Sequence, residues 1–151
     1  MIRKFDEFHF EGIKAHYLCN IPKVISHYSE MQRLLNENNL HNGKVVIESS
    51  TVNFEFDIKE ILNCDESVIG IPDDLHNKKK RWYFEYLNMN NPKSTIVKKS
   101  FVLPFHYKRY LIEYNNCKYI IITSANMTIS AWGNKTKEPI NYEFGIFWKL
   151  N

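Results

Sequence analysis

The fold of this chain is decided by residues 106–133, which read "HYKRYLIEYNNCKYIIITSANMTISAWG". This stretch contains two runs rich in β-branched and aromatic residues, 109–114 and 118–123, which are joined by Asn-Asn-Cys. Two such runs around a short Asn-containing turn predict a β-hairpin. The second run leads into Ser-Ala-Asn, where we expect a short helix to start with Ser124 or Asn126 as its cap.

The hairpin would bring three chemically useful side chains to one end of the sheet. His106 and Lys108 are two residues apart and therefore share a strand face, and Asn126 returns beside them. A histidine can attack phosphorus or transfer a proton near neutral pH. A lysine and an asparagine can hold phosphate oxygens, and such a site requires no metal or other cofactor. The alternative is that His106 and Lys108 are a solvated pair on a strand.

The rest of the chain alternates strands and helices in its first half and is dominated by strands in its second half. Strands are predicted at 13–22, 44–50, 67–72 and 141–150, helices at 24–39, 57–63 (capped by Asp57) and 73–89, and a loop at 88–94. This order predicts a single α/β domain over 1–151, a layered fold with a mixed β-sheet flanked by helices.

Composition excludes several other classes of protein. With 151 residues, 44% hydrophobic and 25% charged, the chain is an ordinary globular domain. A net charge of +3 permits a nucleic-acid partner without demanding one. Cys19, Cys64 and Cys117 are far apart and lack metal-ligand spacing, so we expect no zinc site and a reducing compartment. Neither a secretory signal nor a run of about 18–20 apolar residues is present, which predicts a soluble intracellular domain without membrane contact.

The ordered motifs of the second half resemble the second active-site segment of the tyrosyl-DNA phosphodiesterase family, a branch of the phospholipase D superfamily. That segment reads P-H-x-K, then T-S-A-N-L-S-x-A-A-W-G, then Y-E-L-G-V. The matching residues here are His106, Lys108, Thr123–Asn126, Ala131–Gly133 and Tyr142–Gly145. The resemblance implies a phospholipase D-like fold. It also implies histidine-based, metal-independent hydrolysis of 3′-phosphotyrosyl or other 3′-blocked DNA phosphodiester bonds in DNA repair.

The resemblance assigns a role to each matching polar residue. His106 corresponds to the general acid/base, and Lys108 and Asn126 to the residues that bind phosphate oxygens. Glu143 matches an acidic residue that holds the histidine ring, although it can also be a strand residue paired with a surface lysine. Ser124, within the Thr-Ser-Ala-Asn motif, is placed with the substrate-binding residues.

Two further serines follow from a weaker likeness upstream. The stretch "VVIESS", residues 45–50, is similar to the family's V-x-Q-F-S-S segment, in which serines contact the DNA backbone. Ser49 and Ser50 are therefore candidate substrate-binding residues. The alternative is that their hydroxyls satisfy a turn after a strand. Trp132 is expected to pack as core beneath the site.

The family's enzymes have two halves, and the first half supplies the nucleophilic histidine. This chain has only one His-x-Lys; the histidines without a lysine two residues later are His9, His16, His27, His41 and His76. It therefore resembles the C-terminal half alone, and a separate chain or a second copy would have to complete the site. The partner implied is a single-stranded DNA 3′ end, and the location implied is the nucleus. The alternatives are an inactive half-domain that binds DNA or a protein, and a domain that keeps the fold for packing only.

Overall fold

The computed structural model describes residues 8–10, 13–53, 55–72, 93–99 and 108–150. The predicted helix at 73–89 and the candidate catalytic residue His106 lie outside these residues. Cys19, Cys64 and Cys117 are free thiols. No helix in the described part of the chain is long and apolar enough to cross a membrane.

An eight-stranded mixed sheet organises the described residues, with strand order β1-β2-β8-β7-β6-β3-β4-β5. Its strands are β1 (Phe8–Phe10), β2 (Ile13–Asn20), β3 (Gly43–Glu48), β4 (Cys64–Pro72), β5 (Ser94–Lys99), β6 (Lys108–Tyr114), β7 (Cys117–Thr123) and β8 (Glu143–Lys149). The helices are α1 (His27–Glu37), α2 (Ile58–Leu62) and α3 (Ile129–Trp132). β4 pairs in parallel with β3 and β5, and the other pairs are antiparallel. The predicted α/β fold with a mixed sheet is confirmed.

The β6–β7 hairpin is confirmed, together with the register that the candidate site needs. Its two-residue turn consists of Asn115 and Asn116, whose φ angles are +51° and +62°. Asparagine tolerates this left-handed region, and two such residues form the turn type that matches strand twist. Lys108 lies opposite Thr123 in the ladder. The chain after β7 therefore emerges beside the start of β6.

Helix capping decides where the first two helices begin. α1 starts at His27 rather than at residue 24, because the Ser26 hydroxyl accepts the Ser29 N–H at 2.9 Å. Val24, which the apolar pattern had placed inside the helix, is 53% exposed. α2 begins as predicted, since the Asp57 carboxylate accepts the Glu60 N–H at 2.9 Å.

The predicted cap of the third helix is wrong. α3 is capped by Thr128, whose hydroxyl accepts the Ala131 N–H at 3.2 Å, and not by Ser124 or Asn126. Residues 124–128 instead form an irregular, non-helical segment that crosses over the end of the sheet. A parallel bridge pairs Met127 of this segment with Val52, and the Asn53 N–H donates to the Met127 carbonyl at 2.8 Å.

Two strands were missed by the sequence pattern, namely β1 and β5. β1 has only three residues, too few for an alternation to be recognised. β5 was expected to be partly loop at residue 94, but it adds in parallel to β4 from Ser94 onward. Both are the outermost strands of the sheet, where pairing to a single neighbour places few demands on sequence.

One face of the sheet carries the core. Alternate residues of the strands meet the apolar sides of the three described helices, including Ile47, Tyr110 and Phe147. Trp132 of α3 is fully buried in this cluster, as predicted. On the opposite face Val46, Ile122 and Phe144 keep 38%, 45% and 52% of their surface exposed. The helices of the described residues therefore all pack on one side.

Candidate functional site

The candidate residues collect at one end of the sheet, which we call the site end. There β3 and β7 finish, β6 and β8 begin, and the 124–128 segment crosses over. Because strands of opposite direction alternate here, residues far apart in sequence become neighbours. Lys108, Thr123 and Gly145 lie across from one another on three adjacent strands.

Lys108 opens β6 at the site end and is only 8% exposed. It alternates in phase with the buried Tyr110 and Ile112, so it lies on the core face. The 124–128 segment passes over this same face, since the Tyr110 hydroxyl donates to the Ala125 carbonyl at 3.3 Å. Lys108 therefore lies at the site end, on the face of the sheet that the 124–128 segment covers.

A surface cluster of polar side chains lies on either side of Ala125. Its members are Ser50, Ser124, Asn126 and Glu143. The Ser50 hydroxyl donates to Asn126 Oδ1 at 2.8 Å. On the other side, the Ser124 hydroxyl donates to Glu143 Oε2 and accepts the Phe144 N–H at 3.0 Å. Five of the six candidate residues within the described chain are therefore brought to the site end: these four, which are partly or fully exposed, and Lys108, which is buried.

The sixth candidate, Ser49, is turned inward. It is fully buried, its hydroxyl donates to the Thr51 carbonyl at 2.7 Å, and it accepts the Met127 N–H at 3.0 Å. The first bond closes the turn after β3, and the second joins this turn to the 124–128 segment. This is the arrangement expected if the hydroxyl satisfies a turn after the strand.

Glu143 has partners for both carboxylate oxygens within the described chain. Oε2 accepts from Ser124, and Oε1 accepts from the Asn141 amide at 3.2 Å. These two donors fix the carboxylate at the start of β8. Its partners there are a serine and an asparagine rather than a surface lysine.

Beneath the surface cluster lies a buried cluster of three polar residues, Asn20, His27 and Thr123. The His27 backbone N–H donates to Asn20 Oδ1 at 2.5 Å, and the Asn20 amide donates to the Ala131 carbonyl. The His27 ring lies 3.0 Å from Asn20 Oδ1 through Nδ1 and 2.8 Å from Thr123 Oγ1 through Nε2. This cluster ties the ends of β2 and β7 to the starts of α1 and α3.

The hydrogen bonds of the buried cluster fix the tautomer of His27. Burial lowers the pKa of His27 from 6.5 to about 3, so the ring is neutral at physiological pH. Asn20 Oδ1 can only accept, and Nδ1 therefore carries the proton. Nε2 then accepts from the Thr123 hydroxyl, whose single hydrogen goes there in preference to the Phe144 carbonyl at 3.1 Å. Thr123 Oγ1 in turn accepts the Ala125 N–H at 3.0 Å, which fixes the backbone that carries Ser124 and Asn126.

Sequence reasoning missed this cluster. His27 was set aside because no lysine follows two residues later, and its partners are 7 and 96 residues away along the chain. No local pattern reports such a contact. The one available signal was that the apolar run of β7 ends in a threonine, Thr123, whose hydroxyl must be satisfied if it is buried.

The structure gives a physical reason for the tryptophan and the glycine at two positions of the matching motif, Trp132 and Gly145. The Trp132 indole donates to the Tyr110 hydroxyl at 3.2 Å, and its ring meets the His27 ring edge-to-face at 5.2 Å. Gly145 pairs with Thr123, and a Cβ added there would lie 2.7 Å from the Thr123 Cβ. Any side chain at this position would push Thr123 away from His27.

An ion pair on the opposite face of the sheet was also unforeseen. Arg109 donates through Nε to Glu48 Oε2 at 2.8 Å, and its Nη2 lies 2.6 Å from the same oxygen. The Glu48 side chain is only 4% exposed. The pair joins β3 to β6 at the site end, and Arg109, the residue after Lys108, compensates the buried charge of Glu48. Across the described residues, no group of three or more His, Cys, Asp or Glu side chains is arranged to hold a metal ion.

Comparison with known proteins identifies the family to which the chain belongs. The family model described as tyrosyl-DNA phosphodiesterase matches residues 71–151, which is more than half of the chain. The chain belongs to the tyrosyl-DNA phosphodiesterase family. No curated protein matches it.

Solved structures of yeast tyrosyl-DNA phosphodiesterase share the fold. One is 13% identical with a TM-score of 0.64, and it covers 89% of this chain and 46% of the yeast chain. Two histidine mutants of the yeast enzyme, each 14% identical, give TM-scores of 0.63 and 0.62 with 89% of this chain and 47% and 46% of theirs covered. The chain thus spans less than half the length of the structures it matches.

Proposed function

We propose that this chain supplies one half of a metal-independent phosphodiesterase site that acts on blocked 3′ ends of single-stranded DNA. The observation that carries the proposal is the meeting of Lys108, Asn126 and Glu143 at the site end, on a chain of the tyrosyl-DNA phosphodiesterase family. Lys108 begins the strand that directly follows the His106 segment in sequence.

In the proposed reaction each residue has one role. A histidine from the other half attacks phosphorus, and the phosphorus–oxygen bond to the tyrosine breaks. His106 gives its proton to the departing tyrosine oxygen. It then takes a proton from water, which attacks the phosphohistidine and leaves a 3′-phosphate on the DNA.

Lys108 and Asn126 hold the non-bridging oxygens through both steps, where negative charge builds up. Glu143 holds the His106 ring in the productive tautomer.

The other half comes from a second copy of the chain or from a separate chain. One observation supports this part of the proposal: the sequence contains a single His-x-Lys. Two-fold pairing of identical site ends would place two His106 residues in one site, so that one could attack while the other protonates. The nuclear location implied by the resemblance belongs to this proposal.

Cleavage of a labelled single-stranded oligonucleotide with a 3′-phosphotyrosine, in EDTA, tests the proposal. The protein is varied in concentration, and His106→Ala and the exposed-histidine control His41→Ala run beside it. We expect a rate that rises more steeply than protein concentration, is abolished in His106→Ala and is unchanged in His41→Ala. A rate that survives in His106→Ala would refute the assigned chemistry.

A second candidate function is a catalytically inactive half-domain that binds DNA or a protein partner. The single His-x-Lys of the sequence is the observation that favours it. Absence of cleavage at every concentration, with retained binding of the oligonucleotide, would establish this candidate and exclude self-pairing catalysis.

A further inference from the structure

The orientation of the Asn126 amide is set by a neighbouring hydroxyl. Asn126 Oδ1 lies 2.8 Å from Ser50 Oγ and 3.4 Å from Ser49 Oγ. We infer that Ser50 is a positioning residue that turns the Asn126 NH₂ group toward the phosphate. This inference rests on the proposed function, because it gives a role to the same site.

A count of hydrogens identifies Ser50 as the donor. A serine hydroxyl has one hydrogen to give. The hydrogen of Ser49 is used by the Thr51 carbonyl at 2.7 Å, and the Met127 N–H occupies one of its acceptor positions. Ser49 therefore has nothing to donate to Asn126. Ser50 donates its hydrogen at the shorter distance and fixes Oδ1.

Because Ser50 holds Oδ1, the NH₂ group of Asn126 remains available to a ligand. In the part of the chain that the structure describes, Asn126 Nδ2 donates to no protein atom, and the residue is partly exposed. Phosphate oxygens accept hydrogen bonds, so an NH₂ group complements them. A flipped amide would present an oxygen lone pair to a negatively charged group, which is repulsive.

This role competes with a direct contact between Ser50 and the DNA backbone. The single Ser50 hydrogen is already given to Asn126, and a phosphodiester has no hydrogen to donate back to Ser50 Oγ. The same hydrogen cannot serve both partners at once. The two roles therefore predict different effects when the hydroxyl is removed.

Binding of two matched oligonucleotides separates these roles. Fluorescence anisotropy at fixed salt measures the affinity for a single-stranded oligonucleotide ending in 3′-phosphate and for the same one ending in 3′-hydroxyl. In Ser50→Ala we expect the affinity for the 3′-phosphate to fall about tenfold, the size of one hydrogen bond to a charged group, with the 3′-hydroxyl affinity unchanged. Ser50→Thr restores the hydroxyl and should restore the preference.

Each other outcome has a definite meaning. An equal loss for both oligonucleotides would overturn the inference in favour of a backbone contact by Ser50. A full 3′-phosphate preference in Ser50→Ala would overturn it as well, while leaving the proposed function intact. No 3′-phosphate preference in the unaltered protein would instead refute the proposed function. Equal melting temperatures of the unaltered protein, Ser50→Ala and Ser50→Thr serve as the folding control, and Ser50→Gly, which also lacks the hydroxyl, carries the test if Ser50→Ala unfolds.

Discussion

Two polar clusters lie at the site end, and they differ in how completely the protein satisfies them. In the buried cluster of Asn20, His27 and Thr123, the side-chain hydrogen bonds end on other protein atoms. In the surface cluster, the Ser50 hydroxyl holds Asn126 through Oδ1 alone, which leaves the NH₂ group of this partly exposed residue for a ligand. The difference suggests a division of labour in which the buried cluster fixes the backbone and the surface cluster meets the ligand.

Removal of the Trp132 side chain, which packs beneath both clusters, should have the largest effect on stability. Trp132 is fully buried and contacts the rings of His27 and Tyr110. Trp132→Ala should lower the free energy of unfolding by about 3–5 kcal/mol, the usual cost of an aromatic cavity. Urea unfolding followed by circular dichroism measures this loss. Trp148→Ala, at a half-buried position, should cost less stability. Equal losses in the two variants would contradict the special importance of Trp132 packing.

Breaking the buried cluster should have an intermediate effect that depends on pH. His27→Phe keeps the volume but removes two hydrogen bonds, and it should cost about 1–3 kcal/mol at pH 7. The folded pKa of His27 is about 3 against 6.5 for an ordinary histidine. Between these values the unfolded chain binds more protons than the folded one, so this histidine makes stability fall as pH drops below 6.5.

Urea unfolding at several pH values isolates that contribution. In the unaltered protein the slope contributed by His27 should approach about 1.4 kcal/mol per pH unit, and His27→Phe should lack it. His41→Phe, at an exposed position, should keep the full slope. A slope that is the same in His27→Phe and the unaltered protein would show that His27 is not buried in its neutral form.

Loss of a surface hydrogen bond should have the smallest effect on stability. Ser124→Ala removes the hydroxyl that bridges Glu143 and the Phe144 N–H, at a cost of about 1 kcal/mol. Glu143→Gln keeps an acceptor for Ser124 and should cost less than Ser124→Ala in the same urea titration. If either variant were as destabilising as His27→Phe, the buried cluster would not contribute more to stability than the surface cluster.

The elements that sequence predicted well are those with a local cause. The β6–β7 hairpin follows from two apolar runs and an Asn-Asn turn, and α2 follows from Asp57 as its cap. Local rules were less complete elsewhere. The helical pattern of α1 ran back to Val24, but the cap at Ser26 sets the start, because capping competes with apolar periodicity.

The candidate site was predictable in its residue types but not in its internal bonds. The hairpin register placed Lys108 near the chain that carries Asn126, as sequence had indicated. The partners of Asn126 and Ser124 come from residues 76 and 19 positions away, and no sequence pattern reports such pairs. The motif alone also made Ser124 look like a helix cap, whereas the 124–128 segment is held in a non-helical path by Ser49 and Thr123.

The central claim is that the Asn126 NH₂ group at the site end receives a phosphate. The most direct measurement is nitrogen–proton NMR of the full chain, with the Asn126 side-chain signal assigned by its absence in Asn126→Ala. We predict that this signal shifts during titration with a 3′-phosphate oligonucleotide and stays in place with the matching 3′-hydroxyl. Shifts that leave the Asn126 amide unmoved during 3′-phosphate binding would contradict the account.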